Sequence, residues 1–249
     1  VGKTSHYMFL THMNGTAHTG TTFIPKVIPN GYPLVSTADF GKLKTLDPSS
    51  GYINNKADLY FRENAKGQGF FCIFTSSLSQ AMSCTTNFTL AAGLTLLSST
   101  DFNNDGYTDM LFRNAKTGAL YIVYHTNRVS IMTAIGSMPV SETWQGVGDY
   151  DGDGKADILF RNSSTSLLSV ASNPDSQALN IATSTTGIAS HRSILKAGDY
   201  TGDGKDDIVI RDNYTGAVSL LEMTFASDQI NVSPAVKLGT VTSFFSSIN

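Results

Sequence analysis

The chain repeats a pattern at intervals of about 50 residues, and this periodicity limits the possible folds more than any other feature. Four segments align, each with an aspartate, a short apolar run and an arginine. The shared aspartates are 51, 48 and 50 residues apart: Asp58, Asp109, Asp157 and Asp207. The arginines keep the same phase: Arg62, Arg113, Arg161 and Arg211. Such a period is typical of architectures in which each repeat is one supersecondary unit.

Each unit has the pattern of short strands. Apolar runs such as LYF and ILF are rich in β-forming residues, and a turn follows, often with a Thr-Gly pair as at Thr117-Gly118. A second strand such as LYIVYH comes next, and two more strands lead into the following unit. Four short strands per roughly 50 residues are typical of a propeller blade. The sequence therefore predicts an all-β fold, a β-propeller of four-stranded antiparallel blades.

The two ends of the chain extend this pattern. We expect one domain over residues 1–249, with repeat units 39–100, 101–148, 149–198 and 199–240. The tail KLGTVTSFFSSIN resembles the segments that precede the acidic loops, and Gly2-Lys3 matches Gly154-Lys155. A fifth blade is therefore expected from residues 241–249 together with 1–38, which would close the ring and leave no open sheet edge. The competing interpretation is a fragment of a larger ring or of a longer protein.

The stretch DYDGDGKAD, residues 149–157, predicts a metal site. It offers carboxylates at loop positions 1, 3, 5 and 9, which are Asp149, Asp151, Asp153 and Asp157, and the carbonyl of Lys155 at position 7. Hard oxygen donors at alternate positions of a small loop suit Ca²⁺ better than Mg²⁺, which requires a near-ideal octahedron. Four acids this close also need a cation unless some are protonated.

Two further loops repeat the pattern. The donors of one are Asp101, Asn103, Asp105, the Tyr107 carbonyl and Asp109; those of the other are Asp199, Thr201, Asp203, the Lys205 carbonyl and Asp207. The Asp101 loop has one carboxylate fewer and should bind more weakly, and Thr201 requires a hydroxyl or a water at position 3. Asp39 and Asp58 are 19 residues apart, so no regular site is expected there. About three Ca²⁺ sites are therefore predicted.

An EF-hand is the obvious alternative, but its 12-residue loop ends in a bidentate Glu and lies between helices. Here position 12 of the Asp149 loop is Phe160, and strands are predicted on both sides. Calcium in such a loop is expected to serve a structural role, stabilising the fold by binding only the folded state.

The pattern D-x-[DN]-x-D-G-x-x-D, followed by an apolar strand and Arg-Asn, resembles the FG-GAP/VCBS repeat family, the integrin-α-like propeller repeats found also in exported bacterial proteins and propeller lectins. The resemblance covers residues 101–124, 149–170 and 199–222, and partly 39–74. It implies a propeller with calcium in loops on one face and a secreted, extracellular or periplasmic location. The repeated arginines would brace neighbouring loops through backbone carbonyls.

Charge and hydropathy exclude two classes of partner. The net charge is −3 and no basic patch is interleaved with aromatics, so nucleic-acid binding is not predicted. No apolar run approaches the roughly 18 residues of a membrane span. Cys72 and Cys84 are expected on neighbouring strands, where a disulfide in an exported protein is favoured over two buried thiols. Nothing in the sequence indicates an oligomeric state.

Three functions fit these features, since a propeller alone does not specify one. Lectin-like binding of a carbohydrate or a cell-surface glycoprotein is favoured, with Trp144, Tyr121 and Tyr214 as candidate platforms, although they do not recur in phase. Integrin-like protein adhesion is the first alternative. A propeller enzyme such as a polysaccharide lyase is the second, and it is disfavoured because the five histidines match no catalytic signature.

Overall fold

The structure of the chain is a computed structural model that describes residues 6–14, 17–28, 34–38, 58–62, 68–74, 82–91, 93–126, 129–172, 174, 179–226 and 229–240. Over these residues the chain is all-β and contains no helix. Accordingly, no membrane-spanning helix occurs among the described residues. The predicted all-β class is confirmed.

Five sheets contain the described strands. A two-stranded antiparallel sheet consists of β1 (His6–Asn14) and β2 (Ala17–Ile28). Sheet I consists of β3 (Leu34–Ala38), β4 (Asp58–Arg62), β5 (Gln68–Phe74) and β6 (Met82–Thr89). Sheet II consists of β7 (Leu94–Thr100), β8 (Asp109–Asn114), β9 (Ala119–Thr126) and β10 (Val129–Ser137).

The remaining strands follow the same order. Sheet III consists of β11 (Glu142–Gly148), β12 (Asp157–Asn162), β13 (Leu168–Ser172) and β14 (Asn180–Ser184). Sheet IV consists of β15 (Arg192–Gly198), β16 (Asp207–Asp212), β17 (Ala217–Leu221) and β20 (Val236–Thr240). An additional hairpin, β18 (Met223–Ala226) and β19 (Gln229–Val232), lies between β17 and β20 in the chain.

Sheets I to IV are copies of one antiparallel four-stranded pattern. In each, the pairing of the first strand with the second shifts by one residue near the middle of the first strand. The shifts lie at Leu34/Ser36, Leu96/Ser98, Trp144/Gly146 and Ile194/Lys196. A bulge kept at one position in four sheets confirms that the sequence repeat is a structural repeat. The predicted repeat units begin at the acidic loops, whereas each sheet begins one strand earlier, with the strand that precedes the loop.

The second strands of sheets II and III are buried on both faces. In β8, Leu111 packs in a core shared with sheet III, whereas Met110 and Phe112 pack in a separate core on the other face. In β12, Phe160 faces the core shared with sheet II and Leu159 faces the core shared with sheet IV. Side chains alternate along a strand, so burial of both faces requires an uninterrupted apolar run. This is the physical reason for the recurring MLF and ILF segments.

The first strands of successive sheets lie side by side, and one aromatic residue joins each pair of sheets. The strands β3, β7, β11 and β15 contact one another in chain order. Phe102, at loop position 2 of sheet II, is fully buried with Ile158 of sheet III. Tyr150, its equivalent in sheet III, is fully buried with Ile208 of sheet IV. Tyr200 is the next equivalent and is 50% exposed.

The repeated arginines hold consecutive sheets together. Arg113 of sheet II donates to the carbonyl oxygens of Glu142, Met138 and Pro139, which lead into sheet III. Arg161 of sheet III donates in the same way to the carbonyls of Ile188 and Arg192, which lead into sheet IV. Burial lowers the pKa of both guanidinium groups. The bracing role implied for the repeated arginines is thus observed for Arg113 and Arg161.

The hairpin β18–β19 departs from the predicted four strands per unit. Its strand β19 pairs in parallel with β14, with Thr183 opposite Gln229, so that sheet III gains two strands from the segment after β17. The hairpin thereby covers an edge of sheet III, which would otherwise offer unpaired backbone groups to another chain. Neither periodicity nor turn chemistry in the sequence identifies which edge an inserted hairpin will cover.

Cys72 and Cys84 lie directly opposite each other in the pairing of β5 with β6. Their predicted placement on neighbouring strands is confirmed. The side chains of the two cysteines, the Asp39 loop and the tail 241–249 lie outside the described residues, so the disulfide and the fifth blade stay predictions.

We expect Arg161→Met to lower the free energy of unfolding by about 2–4 kcal/mol, because it leaves two partly buried carbonyl oxygens without donors. The apolar stem is kept, so packing changes little. Urea unfolding in excess calcium measures the effect. Lys116→Met, on an exposed turn, is the control and should change stability by less than about 0.5 kcal/mol. If Arg161→Met lowers the free energy of unfolding no more than Lys116→Met does, the bracing role is contradicted.

Candidate metal centre

The three acidic loops occupy the same place in three sheets. Residues 101–109, 149–157 and 199–207 each connect the first strand of a sheet to its second. Because the first strands lie side by side, the loops occur together at one end of the sheets. The repeat therefore sets the positions of the three predicted sites relative to one another.

The Asp149 loop brings three carboxylates together. One oxygen each from Asp149, Asp151 and Asp153 lie within 4.8 Å of one another. Asp149 accepts hydrogen bonds from the amides of Gly152 and Gly154, both at 2.8 Å. The loop is thus held by its own backbone amides with the carboxylates converging, and hard oxygen donors in this arrangement suit Ca²⁺.

Two backbone positions in every loop have left-handed conformations. In the Asp149 loop these are Gly152 and Gly154, with φ of 83° and 84°. The other loops have positive φ at the same positions: Asn104 and Gly106, and Gly202 and Gly204. Only glycine, and less readily asparagine, adopts this conformation without strain. The residue at position 4 is therefore a further signal in the sequence, in addition to the glycine at position 6 of the loop pattern.

The aspartate at position 9 has a role that spacing did not reveal. Asp157 is fully buried, and its Oδ2 accepts from the amides of Tyr150 at 2.9 Å and Asp151 at 3.2 Å. Asp109 accepts from the amide of Phe102 at 3.0 Å and from that of His125 at 2.9 Å. Both carboxylates thus hold the start of their own loop, and Asp109 also binds strand β9 through His125. Asp157 is not one of the three clustered carboxylates.

Asp207 repeats this role in sheet IV. It is fully buried and accepts from the amides of Tyr200 and Thr201, both at 3.2 Å, and of Met223 at 3.1 Å. In all three loops the position-9 aspartate therefore binds the amide at loop position 2, and Asp109 and Asp207 also bind an amide beyond the loop.

Burial makes the ionised forms of Asp157, Asp109 and Asp151 unfavourable. It raises the pKa of Asp157 to about 8, with the charge of Asp151 as the next cause. It raises the pKa of Asp109 to about 7 against two backbone hydrogen bonds that lower it. The pKa of Asp151 is also raised, first by burial and then by Asp153. A divalent cation would relieve both the repulsion and the burial of negative charge, so the residues present fit calcium.

The other two loops have weaker donor sets. In the Asp101 loop the amide of Asn103 donates to Asp105 at 3.2 Å, so position 3 is an amide rather than a third carboxylate. Thr201 is exposed in the Asp199 loop, and its backbone amide bonds Asp207. The amides of Tyr107, Lys155 and Lys205 each bond the position-5 aspartate of their own loop. Metal ligation by the carbonyls of these three residues stays a prediction.

The candidate ligand platforms have different environments. Trp144 is partly buried against the core between sheets II and III, and Tyr121 is partly buried against the core on the other face of sheet II. Tyr214 is 83% exposed in the turn between β16 and β17. Its ring stacks on His191 with centroids 4.8 Å apart and planes 15° apart. Of the three, Tyr214 has the open ring that a ligand could contact.

The two histidines with described side chains do not form an acid–base pair. His125 is buried beside the Asp109 loop, where burial lowers its pKa to about 4 and Ser130 Oγ lies 2.9 Å from Nδ1. His191 contacts Asp212 at 3.2 Å, at the far end of β16. The two rings thus lie at opposite ends of their sheets, which gives the enzyme alternative no support within this part of the chain.

A family model described as FG-GAP-like repeat matches the chain twice, over residues 101–160 and 149–210. Residues 101–210 carry FG-GAP-like repeats. The two matches together include all three acidic loops, and they confirm the resemblance to the FG-GAP/VCBS repeat family. FG-GAP repeats often bind calcium and are typical of extracellular proteins. No curated protein sequence matches the chain.

Without metal, stability should fall as the pH rises, because Asp157 has a pKa of about 8 when folded and about 3.8 when exposed. The folded state binds the extra proton between these values, so the contribution is present below pH 3.8 and is lost as the pH rises through about 8. His125 has a lowered pKa, so its contribution makes stability rise with pH, but only below about pH 6.5.

Calorimetric melting between about pH 6.5 and pH 8.5 in EDTA, and again in calcium, measures this contribution. We expect the melting temperature to fall across this range in EDTA. Calcium should raise it most at the upper end, since the cation stabilises the ionised carboxylates. An identical melting temperature with and without EDTA would show that the loops bind no calcium.

Proposed function

We propose that the chain is a secreted, calcium-stabilised binding module of the β-propeller type that recognises carbohydrate. The FG-GAP repeats support a β-propeller-like binding module, and the converging loop carboxylates support calcium. The observation that carries the choice of ligand is the exposed ring of Tyr214, held against His191.

The Tyr214 platform is ordered before any ligand arrives. Asp212 Oδ1 accepts from the backbone amides of Tyr214 and Thr215, both at 3.0 Å, which fixes the turn. Asp212 also contacts His191, whose ring covers one face of Tyr214. The other face is open to solvent. A preordered ligand platform loses little conformational entropy on binding.

Polar groups lie beside the turn that carries Tyr214. Asn213 Nδ2 donates to Ser193 Oγ at 2.9 Å, and Tyr214 itself carries a hydroxyl. A pyranose has an apolar C–H face that can stack on an aromatic ring and hydroxyls that can bond to such polar groups. The equivalent turn positions in sheets II and III hold Lys116 and Ser164, so the platform is not repeated there. A single site is expected in the described sheets.

A glycan array in calcium, followed by titration calorimetry on the best sugar, tests this site. Tyr214→Phe keeps the ring and should bind within about threefold of wild type, whereas Tyr214→Leu keeps apolar area without a ring and should weaken binding at least tenfold, since stacking is worth about 1.5 kcal/mol. Equal binding by Tyr214→Leu would exclude this platform. No binding across the array would favour a protein partner or an enzyme.

We also propose that five blades form the ring, the fifth from residues 241–249 together with β1 and β2, since β3 is the first strand of sheet I and not part of that blade. Two features of sheet IV support a further blade. Tyr200 is half exposed although its equivalents Phe102 and Tyr150 are fully buried in the following sheet. Val209, at the centre of β16, is only partly buried, whereas its equivalents Leu111 and Leu159 are fully buried. A following blade would cover both residues.

Alanine substitution distinguishes a covered Tyr200 from an exposed one. Tyr150→Ala should lower the free energy of unfolding by about 3–5 kcal/mol, as expected for a large buried aromatic. If a fifth blade covers Tyr200, Tyr200→Ala should cost a comparable amount in urea unfolding. A cost below about 1 kcal/mol would show that no blade packs on this face.

A further inference from the structure

The Asp149 and Asp199 loops are joined by two hydrogen bonds. The backbone amide of Asp206 donates to the carbonyl of Asp149 at 2.7 Å. The carboxylate of Asp206 accepts from the amide of Asp149 at 3.0 Å. Asp149, the first residue of its acidic loop, is therefore bound through both its amide and its carbonyl by Asp206, at position 8 of the next loop.

The two loops also pack closely around these bonds. A Cβ on Gly148 would lie 2.5 Å from Asp206 Oδ2, so only glycine leaves room for this carboxylate. A Cβ on Gly152 would lie 3.2 Å from Cγ of Lys205, which places the Lys205 stem against the turn of the Asp149 loop. Movement of either loop would therefore disturb the other.

A continuous path of peptide groups connects the two predicted ion sites. The Tyr150 amide, which donates to Asp157, belongs to the same peptide group as the Asp149 carbonyl, which accepts from Asp206. The Asp206 amide in turn shares a peptide group with the Lys205 carbonyl, the predicted position-7 ligand. Because a trans peptide is planar, fixing the amide direction fixes the direction of its carbonyl.

We infer that Asp206 couples calcium binding in the Asp149 loop to calcium binding in the Asp199 loop. This inference rests on the proposed calcium sites. An ion in the Asp149 loop offsets the charge of Asp149 and makes the neighbouring Asp206 carboxylate more favourable there. The strengthened contact orients the Lys205 carbonyl for the second ion, and the effect is reciprocal because coupling between equilibrium sites has no direction.

The Asp101 loop has no such connection to the Asp149 loop. Position 8 of the Asp149 loop is Ala156, which has no carboxylate. No backbone hydrogen bond joins Ala156 to Asp101, both of which the structure describes. Position 8 therefore does not couple the Asp101 and Asp149 sites, and the Asp101 site is the internal control for coupling by this route.

Calcium titration followed by amide NMR reports each loop separately, through Gly106, Gly154 and Gly204. The Asp149 site is disabled with Asp151→Asn/Asp153→Asn. In the wild-type background this should weaken the calcium affinity reported by Gly204 about fivefold or more and leave that reported by Gly106 unchanged. In an Asp206→Ala background, the same disabling should no longer affect Gly204.

Asp206→Asn keeps a hydrogen-bond acceptor without the charge, and it should retain only part of the coupling. It also serves as the second variant if Asp206→Ala fails to fold. Thr108→Ala, at position 8 of the Asp101 loop, is the control and should leave all three titrations unchanged. Loss of the Asp149 site with no change at Gly204 in the wild-type background would overturn the coupling.

Disabling the Asp149 site could also weaken the affinity reported by Gly204 equally in wild type and in both Asp206 variants. That result would overturn the role of Asp206. These outcomes differ from failure of the calcium sites themselves. In that case none of the three glycine amides would respond to calcium.

Discussion

The described structure depends on a buried carboxylate that recurs in sheets II, III and IV. Asp109, Asp157 and Asp207 are fully buried, and each binds backbone amides at the start of its own loop. The same groups begin the second strands of sheets II to IV, and in sheets II and III this strand is packed on both faces. One side chain therefore connects loop conformation, strand position and core packing, and its negative charge makes a cation favourable nearby.

Consecutive sheets are joined by three kinds of contact: apolar cores, guanidinium groups on carbonyls, and an aromatic at loop position 2. Each repeat thus completes the burial of its predecessor, as expected of repeat proteins whose stability is a sum of units and interfaces. The contact through Asp206 adds a polar link between two loops. Asp206 is at position 8 of its loop, where the third repeat has Ala156 instead.

The metal loops and the Tyr214 platform lie at opposite ends of the sheets, because β16 runs from the Asp199 loop to the turn that carries Tyr214. Calcium would therefore stabilise the module without contacting a ligand at Tyr214. This separation agrees with a structural role for the ions, since removing them would act on ligand binding only through the fold.

The sequence alone determined the all-β class, the repeat, the acidic loops and the phase of the arginines, because strand alternation, loop glycines and oxygen donors are local patterns with fixed spacing. Tertiary structure decided what depends on distant neighbours. It placed Trp144 and Tyr121 against the core and left Tyr214 exposed. It paired β19 with β14, and it brought Asp206 to Asp149, 57 residues earlier in the chain. Such contacts arise from how sheets pack, and no local pattern specifies them.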